Sequence, residues 1–133
     1  MRANPESAVF HITEPRLHEK RHWGEFTVLH EDEAVKVKEL IINPGCGISY
    51  QRHFKRSELW FVSKGIINVK HSLGDPENYV VHTLKEDSQF HIFPRQWHQA
   101  FNTTDKPCHI IEIQYGEQTD EDDIERLEYY GRT

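Results

Sequence analysis

The stretch that decides the fold runs from Gly45 to Gly65 and reads GCGISYQRHFKRSELWFVSKG. Gln51 and His53 stand two residues apart, Glu58 follows five residues later, and a glycine closes the run at Gly65. Side chains at i and i+2 of a strand share a face, so Gln51 and His53 are expected side by side. Glu58 opens the β-favouring run ELWFVS and can return to that face after a short turn. Two potential donors on one strand and a third on the next make a partial metal site before any fold is assumed. The missing partner is expected in PRQWHQAFN, where His98 sits on a second short strand segment.

Working outward, EFTVL and VKVKELII read as strands leading into the turn NPGCG. VKVKELII alternates at first and then becomes apolar on both faces, as a strand entering a core does. ELWFVS, IINVK, YVVHTL, QFHIF, HQAFN and HIIEIQY continue the series, with LGDPEN, KEDS, PRQW and TTDKP between them. Short strands at this spacing predict an all-β antiparallel sandwich or barrel, with a double-sheet jelly roll as the specific expectation. Residues 1–20 carry two prolines and no sustained periodicity, and read as an arm on the surface or reaching a partner subunit. Residues 21–133 read as one domain. From Thr119 the chain becomes TDEDDIERLEYYGRT, with Ile124, Leu127 and Tyr130 spaced by three. That pattern fits a short C-terminal helix with carboxylates in its first turn, ended by Gly131; a solvated acidic tail fits equally.

A chain of 133 residues with 36% hydrophobic and 29% charged side chains supports one modest core. Its formal charge of -6 argues against nonspecific nucleic-acid binding, so an anionic ligand would need a local cluster of cations. No apolar run approaches the ~20 residues of a membrane span, and no charged-then-apolar leader opens the sequence. A cytoplasmic protein with no membrane partner is the expectation. Cys46 and Cys108 lie far apart without a CxxC pattern and read as reduced packing residues.

The spacing from Gly45 through Gln51, His53 and Glu58 to Gly65 resembles the first motif of the cupin superfamily, which has histidine where this chain has Gln51. Pro94, His98 and Asn102 resemble its second motif. The resemblance implies a double-stranded β-helix, a single small barrel holding one metal through Gln51, His53, Glu58 and His98. Further stretches narrow it: Arg21-His22-Trp23-Gly24; Gln51-Arg52-His53 with Arg56, Glu58 and Trp60; Ile111-Glu112-Ile113-Gln114; and Glu121-Asp122-Asp123-Ile124 with Arg126 and Tyr130-Gly131-Arg132. In this order they resemble the type II mannose-6-phosphate isomerase domain, over roughly residues 21 to 132. In bacteria that domain usually forms the C-terminal part of a bifunctional isomerase and mannose-1-phosphate guanylyltransferase. Phe54 and Lys55 stand where that family often has two further histidines, and His22 replaces a proline.

What the resemblance implies is a metal-dependent aldose–ketose isomerase of a hexose phosphate, mannose 6-phosphate to fructose 6-phosphate, working as a homodimer. Imidazole and carboxylate donors suit zinc, iron, manganese or nickel, and the resemblance favours zinc. Isomerisation also needs a base that is not a committed metal ligand; Glu112, Glu39, His91 and Lys55 are the candidates by strand face. Lys55, Arg56, Arg95 and Arg132 flank the motifs and are candidates for holding a phosphate, with Lys55, Glu112 and Arg132 placed nearest the chemistry. Trp60 and Trp97 would line the cavity or pack beside it. Two other readings stay open. One is a non-catalytic sugar-binding cupin, which Phe54 and Lys55 would permit. The other is a cupin isomerase, epimerase or iron oxygenase acting on a sugar or nucleotide sugar.

Overall fold

Strand after strand, one row of side chains is buried and the alternate row is only partly covered, the period-2 pattern of a two-layer β protein. The computed structural model describes residues 17–131. Eleven strands follow one another: β1 His18–Arg21, β2 Gly24–Glu31, β3 Val35–Ile42, β4 Tyr50–Arg52, β5 Arg56–Lys64, β6 Ile67–Ser72, β7 Val80–Leu84, β8 Gln89–Ile92, β9 Trp97–Phe101, β10 Cys108–Gly116 and β11 Glu125–Glu128. They form a six-stranded sheet in the order β1-β2-β3-β10-β5-β8 and a five-stranded sheet in the order β11-β4-β9-β6-β7. Every pair is antiparallel.

The inward rows divide along their length. At one end Leu40, Ile42, Trp60, Val62, Ile67, Val69, Ala100 and Ile110 interlock as the apolar core. At the other end the same strands turn Lys36, Lys38, Arg56, Glu58, His98, Glu112 and Gln114 inward, all buried. The core rigidifies the strands and the polar half becomes the site. Two motif residues serve this frame rather than the chemistry. Gly65 sits at φ 89°, where a Cβ would come within 3.0 Å of the Pro107 carbonyl, so the β5–β6 turn needs glycine. Asn102 is fully buried; its amide donates to the carbonyls of Ile42 (2.9 Å) and Lys106 (2.7 Å) and accepts from Thr104, which ties β9 to the turn before β10.

Three sequence expectations are modified. The antiparallel all-β architecture holds, but the two sheets share no hydrogen-bonded strand pair among the described residues, so this is a double-sheet sandwich rather than a single closed barrel. Among the described residues there is no C-terminal helix: residues 125–128 form β11, the edge strand, paired with β4 through Glu125↔Arg52 and Arg126↔Gln51. The physical reason is tertiary. So short a helix is marginal alone, whereas β4 offers unpaired backbone and the acidic residues before β11 find partners elsewhere. Asp123 accepts from the N–H groups of Phe54 (3.0 Å) and Lys55 (2.9 Å), and Glu121 takes Lys38 (2.8 Å). Of the expected arm, residues 1–16 lie outside the described residues, and His18–Arg21 are β1 at the sheet edge. Both cysteines are free, and burial pushes the Cys108 thiol up to about 11.

Candidate metal centre and its cavity

Three of the four expected donors converge. His53 follows β4, Glu58 lies on β5 of the opposite sheet, and His98 lies on β9, so the site sits between the layers. One ligand atom from each of His53, Glu58 and His98 lies within 4.8 Å of the others, and all three residues are buried. His53 Nε2 is 3.2 Å from Glu58 Oε2, and His98 Nε2 is 3.4 Å from Glu58 Oε1. Donors bound ~2.0–2.2 Å from one ion sit about this far apart.

Each histidine is held by its far nitrogen. His53 Nδ1–H donates to the carbonyl of Asp123 at 2.6 Å, and His98 Nδ1–H donates to that of Gln96 at 3.0 Å. Those bonds leave both Nε2 atoms without a proton, the arrangement that prepares imidazole as a metal ligand. His98 Nε2 and Glu58 Oε1 have no hydrogen-bond partner although both are buried. Two acceptors facing each other without a proton need a cation between them. The donor set therefore fits a divalent ion. Burial alone would raise the Glu58 carboxyl, but the adjacent His53 and His98 rings and the Arg56 guanidinium hold it well below the usual range, hence ionised.

Gln51 pairs directly with His98 across β4 and β9 and lines the same cavity as Glu58. Arg56, expected as a substrate contact, lies against the ligands themselves. It is buried, its Nη2 stands 2.8 Å from Glu58 Oε2, and the same nitrogen donates to His53 Nε2 at 3.1 Å.

A cavity of about 370 Å³ opens beside these groups. Its walls include Lys38, Gln51, Arg56, Glu58, Glu112 and Arg126. Glu112 is buried but is no member of the His53–Glu58–His98 cluster. Its carboxylate accepts from Trp60 Nε1 (3.0 Å) and Gln114 Nε2 (2.6 Å). Burial, reinforced by the charge of Glu58, pushes it up to about 7. Trp60 is thus a core residue that orients Glu112 and is not among the residues lining the cavity.

The other expected site residues lie elsewhere. Lys55 and Arg95 are exposed and do not line the cavity; their backbone N–H groups bond Asp123 and the His53 carbonyl. Glu39 and His91 sit on the outer row of the six-stranded sheet, and Trp97 packs between Tyr50 and Arg52. Arg132 lies outside the described residues. Sequence reasoning missed Lys38, Arg126 and Glu121 as cavity residues. The VKVK alternation did place Lys36 and Lys38 on one face, which the structure turns inward. Lys38 and Lys36 outweigh the effect of burial on Glu121 and bring it down to about 2. Asp123 and Gln96, which hold the ligand histidines through backbone carbonyls, carry no side-chain signal that could have found them.

The chain is similar to proteins of known name and structure. Alginate biosynthesis protein AlgA of Pseudomonas putida is 35% identical over 122 residues, covering 91% of this chain and 24% of that protein. A mannose-1-phosphate guanylyltransferase of Salmonella muenchen is 32% identical over 108 residues, covering 81% of this chain and 22% of that protein. The chain thus spans about a quarter of the length of these curated relatives. Among solved structures, the capsular polysaccharide assembling protein CapF from Staphylococcus aureus superposes with a TM-score of 0.75 at 19% identity, over 88% of this chain and 33% of that one. A Bacillus subtilis oxalate decarboxylase variant superposes with a TM-score of 0.70 at 12% identity, over 84% of this chain and 30% of that one. At these identities the two structures speak for the cupin fold alone. The family described as mannose-6-phosphate isomerase C-terminal matches residues 11–129, and the chain belongs to it.

Proposed function

We propose that the chain is a metal-dependent aldose–ketose isomerase of a hexose phosphate, with mannose 6-phosphate to fructose 6-phosphate as the reaction to test first. The observation that carries this reading is Glu112: a buried carboxyl, outside the ligand cluster, lining the cavity that Glu58 also lines. Family membership supports the substrate class.

Gln51, His53, Glu58 and His98 would hold the ion, and their nitrogen and oxygen donors suit zinc, with iron, manganese and nickel as competitors. The chemistry such an ion supplies when bound is Lewis-acid polarisation of neighbouring sugar carbonyl and hydroxyl oxygens. Glu112 is the group that moves the carbon-bound proton. Its carboxylate takes the proton from C2 of the aldose and returns it to C1, while the hydroxyl proton passes from O2 to O1. A carboxyl raised to about 7 is half ionised near neutral pH and can both accept and return a proton. Trp60 and Gln114 fix its orientation, and Lys38, Arg56 and Arg126 give the cavity the positive lining an anionic sugar requires.

Metal-loaded protein should convert mannose 6-phosphate to fructose 6-phosphate in a coupled assay, and chelation should abolish turnover. Glu112→Gln should lower kcat by ~10²–10⁴ while metal content stays unchanged. Full activity in that variant removes Glu112 as the base. Binding of hexose phosphates without turnover by fully loaded protein would instead establish a sugar-binding module.

A further inference from the structure

A second cavity, of about 500 Å³, lies on the outer face of the five-stranded sheet. Val69 and Ala100 turn inward from β6 and β9, so their alternates Lys70, Gln99 and Phe101 face out into it. The tail from Glu128 to Gly131 forms one wall, and Tyr79 and Val81 form another. Among the described residues only Tyr129 lines both this cleft and the cavity of the metal centre. Aromatic rings dominate the outer cleft, and two of them are held in place. Phe101 and Tyr130 stack with ring centroids 5.0 Å apart and planes 21° apart. Gly47 makes room for that stack, since a Cβ there would come within 2.7 Å of Phe101 Cβ and 2.9 Å of Tyr130 Cγ. Charge is cancelled within the cleft. Lys70 Nζ is 3.0 Å from Glu128 Oε1 and lies over the rings of Tyr50 and Tyr79, 4.2 and 4.3 Å from their centroids. Gln99 is 4% exposed, and its Nε2 donates to the Ile48 carbonyl at 3.0 Å. No donor among the described residues reaches its Oε1, which unlike Glu58 Oε1 is not sealed from solvent.

We propose that this cleft binds an uncharged sugar ring, separately from any sugar phosphate at the metal centre. A pyranose carries C–H bonds across its faces and hydroxyls round its edge. The faces suit aromatic rings, whose negative π clouds attract the partly positive C–H groups. The edge suits Gln99 Oε1 and the Glu128 carboxylate, acceptors that take a donor from the ligand. A purely apolar ligand would bury Gln99 Oε1 without a partner, which disfavours it. An anion finds no unpaired cation among the described residues of this cleft, because Lys70 is matched by Glu128. The cavity of the metal centre is the contrast, lined by Lys38, Arg56 and Arg126. The chain's net charge of -6 opposes an anion at the outer cleft further. The volume is sufficient, falling within the ~300–1,000 Å³ of small-molecule sites. The inference stands on the outer cleft alone and is independent of the isomerase reading.

The full metal-loaded chain should be titrated with methyl α-mannoside, maltose and cellobiose while the aromatic ring resonances are followed by NMR. At least one sugar should shift the signals of Tyr79, Phe101 and Tyr130 with a millimolar Kd, and mannose 6-phosphate should not displace it. Tyr79→Ala and Phe101→Ala should each weaken that binding by ~10-fold, with far-UV circular dichroism and metal content unchanged. Neither residue lines the cavity of the metal centre, and Tyr79 is exposed, so its loss spares the fold. Glu128→Gln keeps an acceptor and should weaken binding less. The shifts need no turnover, so a chain without isomerase activity would still show them. Four results overturn the proposal. One is a cleft whose signals none of the three sugars moves. Another is sugar affinity left intact by Tyr79→Ala. A third is displacement by mannose 6-phosphate, which would put the sugar in the cavity of the metal centre. The fourth is adenosine moving the same signals at lower concentration than any sugar, which would make the cleft a site for flat aromatic ligands.

Discussion

An imidazole is prepared as a ligand when one nitrogen is pinned as a donor and the other keeps its lone pair, and His53 and His98 both meet that condition through backbone carbonyls. His98→Ala should therefore lose most of the bound metal, measured by elemental analysis after purification without chelator. Gln51, proposed as a neutral fourth donor, pairs with His98 across the strands; Gln51→Ala should weaken metal binding by ~10-fold or more and leave a three-donor site. Unchanged affinity there removes Gln51 from the ligand set. Arg56 has a different part. Its guanidinium donates to His53 Nε2 and pairs with Glu58, so it takes up lone pairs that a metal would use. Arg56→Gln leaves the Glu58 charge buried without its partner, a loss of about 3–5 kcal/mol in the metal-free protein. Metal should stabilise that variant in thermal unfolding more than it stabilises the parent, because the ion replaces the missing charge and no longer competes with arginine. Equal shifts in the two proteins would show that Arg56 does not compete for the site.

At the scale of elements, the tail that reads as a helix works as a buckle on the candidate metal centre. Asp123 accepts two backbone N–H groups from the Phe54–Lys55 turn with its side chain and the His53 ring with its carbonyl. Asp123→Ala should cost about 1–3 kcal/mol in chemical denaturation and loosen His53, with metal affinity falling alongside. Stability lost with metal affinity intact would limit the buckle to structure. This element also marks how much could be read from the chain. Spacing read with the cupin resemblance singled out His53, Glu58 and His98, which the structure brings together, because ligand geometry needs fixed offsets along strands. The long strands β3, β5 and β10 were legible from their alternation. β1 and β11 were not, since these four-residue strands at sheet edges carry no period. Ile124, Leu127 and Tyr130 have helical spacing, but the partners that decided the segment's fate, Lys38, Phe54 and Arg52, are distant in sequence. Alternation also gives the period of a strand and not its orientation. VKVK usually turns valine inward, and here the lysines go in, because the inner layer at this end is a polar cavity.

Across the whole molecule, charge is sorted by location. The surface makes the chain acidic overall, at -6, while Arg21, Lys38, Arg56 and Arg126 line the cavity opposite Glu58, Glu112 and Glu121. With Glu112 raised to about 7, that lining is net positive at neutral pH, and a low-dielectric cleft concentrates its field on anions. The same shift links folding to pH. Glu112 binds its proton more tightly in the folded chain, about 7 against an ordinary 4.5, so its ionisation opposes folding. The penalty is absent below the ordinary value, grows as pH rises between the two, and is complete above about 7. Glu121 has the opposite sign: its stabilisation is present above 4.5 and lost as pH falls toward about 2, though solvent screens it because the side chain is exposed. Glu112→Gln isolates the first effect. The new amide can still accept from Trp60, and Gln114, whose Oε1 has no partner, can turn to accept from it. The metal-free variant should match the parent's stability in acid and exceed it by up to ~3 kcal/mol in mild alkali, read from denaturation midpoints across that range. Loading metal should shrink the difference, since a dication at Glu58 cancels the neighbouring charge that helps raise Glu112. A difference that stays constant with pH would mean that Glu112 titrates as an ordinary carboxylate, and the proton-transfer role proposed for it would go with it.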